Sequence, residues 1–277
     1  MSDSRTVSPV LIVSTGRTGT RFLAEHLQVN YPQAEAHHIT ERSTLLNVLS
    51  NVQLSGLMSE NQLLGLWKLL KGSRFARTQK SVFVDSNNHL FAFARLASRI
   101  YPNVRIVHVV RDPRSYVRSH LNWATQRFKS RIANTFVPFW QPNGWLIGEV
   151  SAIDWIAMSK FEKFCWVWHY KNRLLAGMQV SATPYLQVRF EDFTSANDHQ
   201  HHLNRILEFI GLEPTGLNTA TTKPINETKS GGFPQWPLWT AAQCQHLERW
   251  CGEQMREYGY GAEPEWLERL ATPAANT

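Results

Sequence analysis

Apolar positions along this chain alternate between two rhythms, short unbroken runs and longer stretches spaced at three and four residues. Residues 9–14 (Pro-Val-Leu-Ile-Val-Ser) form the first unbroken run, the signature of a strand buried on both faces of a parallel sheet. A glycine-containing loop, 14–20, follows at once. Residues 21–28 then carry Phe22, Leu23, His26 and Leu27 at helical spacing. Residues 44–71 read as one or two helices, with Ser59 and Gln62 spaced for a capping box. Further strands are expected at 81–85, 104–110 and 184–190. Helices are expected at 89–100, from Pro113, at 154–177, from Asp198 (or residue 197) to Gly211, and at 240–258. Strands alternating with helices predict a parallel α/β sheet. With no internal repeat and no low-complexity linker, residues 1–277 are read as one domain, carrying an irregular, aromatic-rich insertion at about 125–150.

Composition adds bounds. Of 277 residues, 43% are hydrophobic and 18% charged, a globular balance. No apolar run approaches the length of a membrane span, and residues 1–9 are too polar for a signal peptide. The three cysteines, Cys165, Cys244 and Cys251, form no C-x-x-C pair, which points to a reducing, cytoplasmic setting. Asp198-His-Gln-His-His202 lacks a third ligand type nearby, so no metal site is expected.

Charge is the unusual feature, at net +7. Between Arg105 and Arg131 stand seven basic residues and one acid, Asp112, so that stretch alone is +6 (seven minus one). No helix-turn-helix, zinc-finger or RNP pattern accompanies it, so a small anionic ligand is expected rather than nucleic acid. Arg114, Arg118 and the basic group from Arg127 onward are read as a solvated helix face.

The loop after the first strand has the chemistry for that anion. Ligands of parallel α/β sheets bind where strands end and helices begin, and a helix N-terminus offers free N–H groups and positive dipole. Gly16 and Gly19 allow close backbone approach, Thr18 and Thr20 add hydroxyls, and Arg17 adds charge. The loop is not the G-x-x-x-x-G-K-[ST] of nucleoside-triphosphate sites: Ser14 stands at its first position, and Thr20 and Arg21 follow Gly19. Asp85, at a strand end, is the one acid that could imitate a magnesium ligand and sustain a P-loop kinase reading.

Taken together, Thr15-Gly-Arg-Thr-Gly-Thr-Arg21 and the Arg111/Ser119 pair in Val-Val-Arg-Asp-Pro-Arg-Ser-Tyr-Val-Arg-Ser resemble the sulfotransferases that use 3′-phosphoadenosine-5′-phosphosulfate (PAPS). The resemblance extends to Val188-Arg-Phe-Glu-Asp-Phe193 and to Lys229-Ser-Gly-Gly before Trp236, where Ser230 departs from a usual basic residue. It implies a three-layer α/β/α, P-loop NTPase-like fold. It also implies transfer of a sulfuryl group from PAPS to a hydroxyl or amine of a small-molecule, lipid or carbohydrate acceptor, with PAP as product and no metal. By the same resemblance Thr15, Gly16, Arg17, Thr18, Gly19, Thr20 and Arg21 hold the 5′-phosphosulfate. Arg111 and Ser119 take the 3′-phosphate, assisted by Lys229, Ser230 and Gly231. Phe22 packs either on the adenine or in the core of the first helix. Arg17 doubles as a catalytic cation. The general base is a histidine: His38 is the first choice, with His37 and Glu35 beside it, and His89 is the alternative. Trp140 and Trp145 line an acceptor pocket or pack within a lid. The competing readings are the kinase and a nucleotide binder without catalysis.

Overall fold

Val10 and Ile12 face one way from the first strand and Leu11 and Val13 the other, and all four side chains are buried. The pleat thus splits one apolar run between two cores. The computed structural model describes residues 7–39, 42–101, 103–126, 139–179, 182–194, 198–214 and 232–272. Among these, the sheet has five strands: β1 (Ser8–Ser14), β2 (Ala34–His38), β3 (Val82–Ser86), β4 (Arg105–Val110) and β5 (Tyr185–Arg189). They are parallel throughout, in the order β2-β3-β1-β4-β5.

The helices before and just after β4 are α1 (Thr20–Asn30), α2 (Ser43–Leu54), α3 (Glu60–Arg77), α4 (Ala97–Ile100) and α5 (Pro113–Gln126). Later come α6 (Gly144–Ile147), α7 (Ala152–Ala157), α8 (Lys160–Ala176), α9 (His199–Ile210), α10 (Ala241–Glu257) and α11 (Pro264–Ala271). One sheet face packs on Leu23 and Leu27 of α1 and on Leu203, Ile206 and Ile210 of α9. The other packs on Leu46 of α2, Leu63 and Trp67 of α3, and Ala97 of α4. This is the three-layer α/β/α, P-loop NTPase-like arrangement expected. Contacts divide the chain into two compact units, Met1–Val110 with Arg173–Asn226, and Arg111–Asn172 with Glu227–Thr277. The sheet and both of these cores lie in the first. In the second, α10 packs on α5 and α11. Its interior is built from Tyr116, Cys165, Trp166, Trp168, Cys244, Cys251 and Trp266.

Several elements depart from expectation for identifiable reasons. The helix expected at 89–100 is a 3₁₀ turn, Phe93–Leu96, leading into the short α4. Leu90, Phe91, Ala92 and Phe93 are buried in succession, which an amphipathic helix does not allow. The helix expected at 154–177 is two helices. Ser151 caps α7, and Ser159 opens α8 in a reciprocal pair with Glu162, the two bonds being 2.9 and 3.3 Å. The Ser59–Gln62 capping box forms as the spacing predicts. Strand β2 and helix α11 were not anticipated. The first is a short Ala- and His-rich edge strand defined by its pairing with β3. The second starts at Pro264, a favoured first helical position, and buries Trp266 completely. Within the insertion, α6 is helical under an Asn143 cap, and 127–138 lie outside the described residues.

Candidate active site

The chain leaves β1 toward β2 on one side, and the connection from β4 leads to β5 on the other. Their C-terminal ends, adjacent through the Ser14–Val109 pairing, are therefore a topological switch point. The loop there is curled by positive φ at Gly16 (103°), Arg17 (59°) and Gly19 (70°). For Arg17, a side-chain-bearing residue, that conformation costs about 1–2 kcal/mol. Strain of this kind, held by surrounding structure, collects at ligand sites. The Gly16 N–H donates to Ser14 Oγ at 3.1 Å. A Cβ on Gly16 would stand 2.9 Å from Asn88 Nδ2, and one on Gly19 would stand 2.7 Å from the Phe190 ring. Positive φ favours glycine at both positions, and at Gly19 the Phe190 ring crowds the space as well.

Helix α1 begins at Thr20 with Gly19 as a cap that has no side chain to offer, and no acid lies in its first turn. Its first N–H groups lack intrahelical acceptors and aim along the positive dipole. Thr15 and Thr18 are buried, and their hydroxyls have no hydrogen-bond partner among the described residues. Buried orphan hydroxyls in a glycine-curled loop ahead of an uncapped helix fit an oxyanion. Arg17 is half-buried in this loop. Arg21 is more exposed and pairs with Glu25 at 2.6 Å along α1. Phe22 stacks on His26 and Phe193 and packs against the adjoining core.

Beside the loop stands the end of β2. His38 is its last residue, and its Nδ1 lies 3.0 Å from the carbonyl oxygen of Ser86. Ser86 is itself buried, and its hydroxyl donates to the Thr20 carbonyl at 2.7 Å. Burial holds the His38 imidazole below its ordinary pKa, partly offset by the Ser86 carbonyl, so the ring is neutral near pH 7. Strand alternation puts His38 with Ala34 and Ala36 and sends Glu35 and His37 to the opposite face. There the His37 ring donates to Glu35 at 2.7 Å. Glu35 lies below its usual range: burial would raise it, but bonds from Thr78 and His37 outweigh that. His89 lies in the turn after β3, its N–H bonded to Asn87 Oδ1 at 3.0 Å. Asp85 is buried, and with burial as the larger cause it raises the Tyr101 phenol.

In the second unit, Arg111 directly follows β4 in the chain, and its carbonyl accepts the Trp168 indole N–H at 2.9 Å. Ser119 lies two turns into α5. One turn further, Asn122 is buried and bonds the Phe233 backbone in both directions, at 2.7 and 3.3 Å. Phe233 closely follows Lys229, Ser230 and Gly231, which lie outside the described residues. Arg114 is not on a solvated face: it is 2% exposed, bonded to Asp112 and Glu263, and lies over the Trp236 and Trp266 rings. Glu263, Trp236 and Trp266 come from distant chain, which local charge counting does not register. Arg118 is half-buried as well, and the basic group from Arg127 is outside the described residues. Trp145 of α6 is half-exposed. Ser86, Asn88 and Phe190 are the neighbours of the loop and of His38 that sequence reading missed. Only the position of Ser86 at a strand end was a usable signal.

A parallel sheet whose first strand leads through a glycine-curled loop into a helix defines a broad class of α/β proteins. Within it, the sequence matches the sulfotransferase family over residues 9–215, most of its length, and the protein belongs to that family. No curated protein matches it. Similar solved structures include a sulfotransferase from Alicyclobacillus acidocaldarius, with TM-score 0.48 and 12% identity over 94% of this chain and 98% of that one. The sulfotransferase domain of the Synechococcus PCC 7002 olefin synthase gives 0.45 and 15%, over 98% and 97%. That of the curacin biosynthetic pathway gives 0.45 and 13%, over 97% and 98%. Among the described residues no helix is long and apolar enough to cross a membrane.

Proposed function

We propose that this protein transfers a sulfuryl group from PAPS to a hydroxyl or amine of a small-molecule, lipid or carbohydrate acceptor. The observation carrying the reading is the loop from Thr15 to Thr20. Its left-handed backbone, two orphan buried hydroxyls and uncapped helix start suit a multiply charged sulfated phosphate. Arg111 and Ser119 are the residues for the 3′-phosphate, with Lys229, Ser230 and Gly231 beside them. The whole chain is read as one sulfotransferase domain, since the family match runs through residues of both compact units. Three buried thiols without a disulfide are in keeping with a cytoplasmic protein.

PAPS supplies the activated sulfuryl group, and the side chains supply orientation and charge. His38 accepts the acceptor's proton on Nε2 as the acceptor oxygen or nitrogen bonds to sulfur. The bond from sulfur to the bridging oxygen of the 5′-phosphate breaks in line. The negative charge that gathers on that oxygen is met by Arg17 and by the amides of Thr18, Gly19 and Thr20, donors fixed before reaction. PAP should raise the unfolding temperature, and Arg111→Ala should abolish the shift. A shift with ATP–magnesium and none with PAP would overturn the reading in favour of a kinase. A PAP shift without sulfuryl transfer to any acceptor would leave a binder.

A further inference from the structure

Asp112 directly follows Arg111, the residue whose guanidinium is assigned to a phosphate. It is also the helix cap of α5: its Oδ1 accepts the Arg114 N–H at 2.8 Å, and its carbonyl accepts from Tyr116 at 2.9 Å. An acid suits a helix start, yet beside Arg111 it is a built-in competitor for the same cation. The arrangement around Arg114 answers that conflict. Arg114 Nε lies 3.0 Å from both Asp112 oxygens, and Nη2 lies 2.6 Å from Oδ2. Across the same guanidinium, Nη1 and Nη2 reach Glu263 Oε2 and Oε1 at 2.9 and 2.6 Å. The Trp236 and Trp266 rings lie 4.8 and 5.1 Å from its central carbon. A planar cation with five fixed donors fills this box, and a lysine could not satisfy both carboxylates this way.

We propose that Arg114 is a positioning residue that captures the Asp112 carboxylate and so keeps it from competing with the donor's 3′-phosphate for Arg111. The inference rests on the reading of Arg111 as the 3′-phosphate residue. Its signature is selective. Loss of Arg114 weakens ligands that carry a 3′-phosphate and spares those that lack one, and removing the Asp112 charge reverses the loss.

The test is calorimetric titration of the full-length protein with PAP and, separately, adenosine 5′-phosphate. Arg114→Met should weaken PAP at least about tenfold, the scale of one lost charge-assisted contact, while adenosine 5′-phosphate changes less than about twofold. The double variant Asp112→Asn/Arg114→Met should recover most of the PAP affinity. If Arg114→Met does not fold, Arg114→Lys is read by the same ratio, with a smaller loss and the same rescue by Asp112→Asn. Unchanged PAP binding, equal loss of both ligands, or no rescue would each overturn the inference while leaving the donor reading standing. Absence of PAP binding by the unaltered protein overturns that reading itself, and the inference with it.

Discussion

The Nδ1 of His38 lies 3.0 Å from the carbonyl oxygen of Ser86, and a carbonyl can only accept. The ring proton therefore sits on Nδ1 and the lone pair on Nε2. Through the Ser86 hydroxyl, which bonds the Thr20 carbonyl, the same residue fixes the start of α1. One buried serine thus ties the proposed base to the proposed anion loop.

His38→Gln should lower kcat by roughly 10²–10⁴-fold, the usual contribution of a general base, with PAP affinity unchanged. Because burial depresses the His38 pKa, kcat in the unaltered enzyme should rise with pH to a midpoint below 6.5 and stay level above it. Steady-state kinetics across pH measure both. Undiminished turnover in the variant would transfer the role to His89.

Gly19→Ala should destabilise the protein by at least about 1–2 kcal/mol, the cost of a left-handed side-chain-bearing residue. The new Cβ also meets the Phe190 ring at 2.7 Å, so the PAP-induced shift should disappear. Adding Phe190→Ala relieves the collision but not the φ of 70°. Denaturant unfolding should therefore show Gly19→Ala costing less in a Phe190→Ala background than in the unaltered protein, with the backbone component retained.

Lys171 is 3% exposed, and burial pushes its amine down to about 7. Between that value and the ordinary lysine pKa near 10.4 the unfolded chain binds more protons than the folded one, so stability should rise with pH across this window and level off below it. Lys171→Met should remove the Lys171 contribution to that slope. A pH series of thermal melts on both proteins is the check; an unchanged slope would contradict it.

Legibility in the sequence followed burial. Strands β1, β3 and β4 are buried on both faces, whereas β5, at the sheet edge, buries only Leu186 and Val188 in alternation. Ala34–His38 did not stand out, since its alternating small and polar residues carry no periodic apolar signal and its pairing partner, β3, lies far along the chain. With β2 unseen, His38 was preferred over Glu35 and His37 without knowledge of which face each occupies. The pleat separates them: Glu35 and His37 bond each other on one face, and His38 meets Ser86 on the other.

Arg114 makes the same point for charge. In sequence it belonged to a basic helix face, because the residues that bury it, Glu263, Trp236 and Trp266, lie more than a hundred positions away. By itself, the sequence determined the parallel α/β alternation, the phosphate-type loop and the spacing of Arg111 from Ser119, all of which are local patterns set by backbone propensity and by which residues border a strand end. Only the tertiary structure decided which β2 side chain meets Ser86, which ring crowds Gly19, and which arginine is held between Asp112 and Glu263. Those outcomes depend on side chains brought together from remote segments, where packing and charge pairing leave no trace in local order.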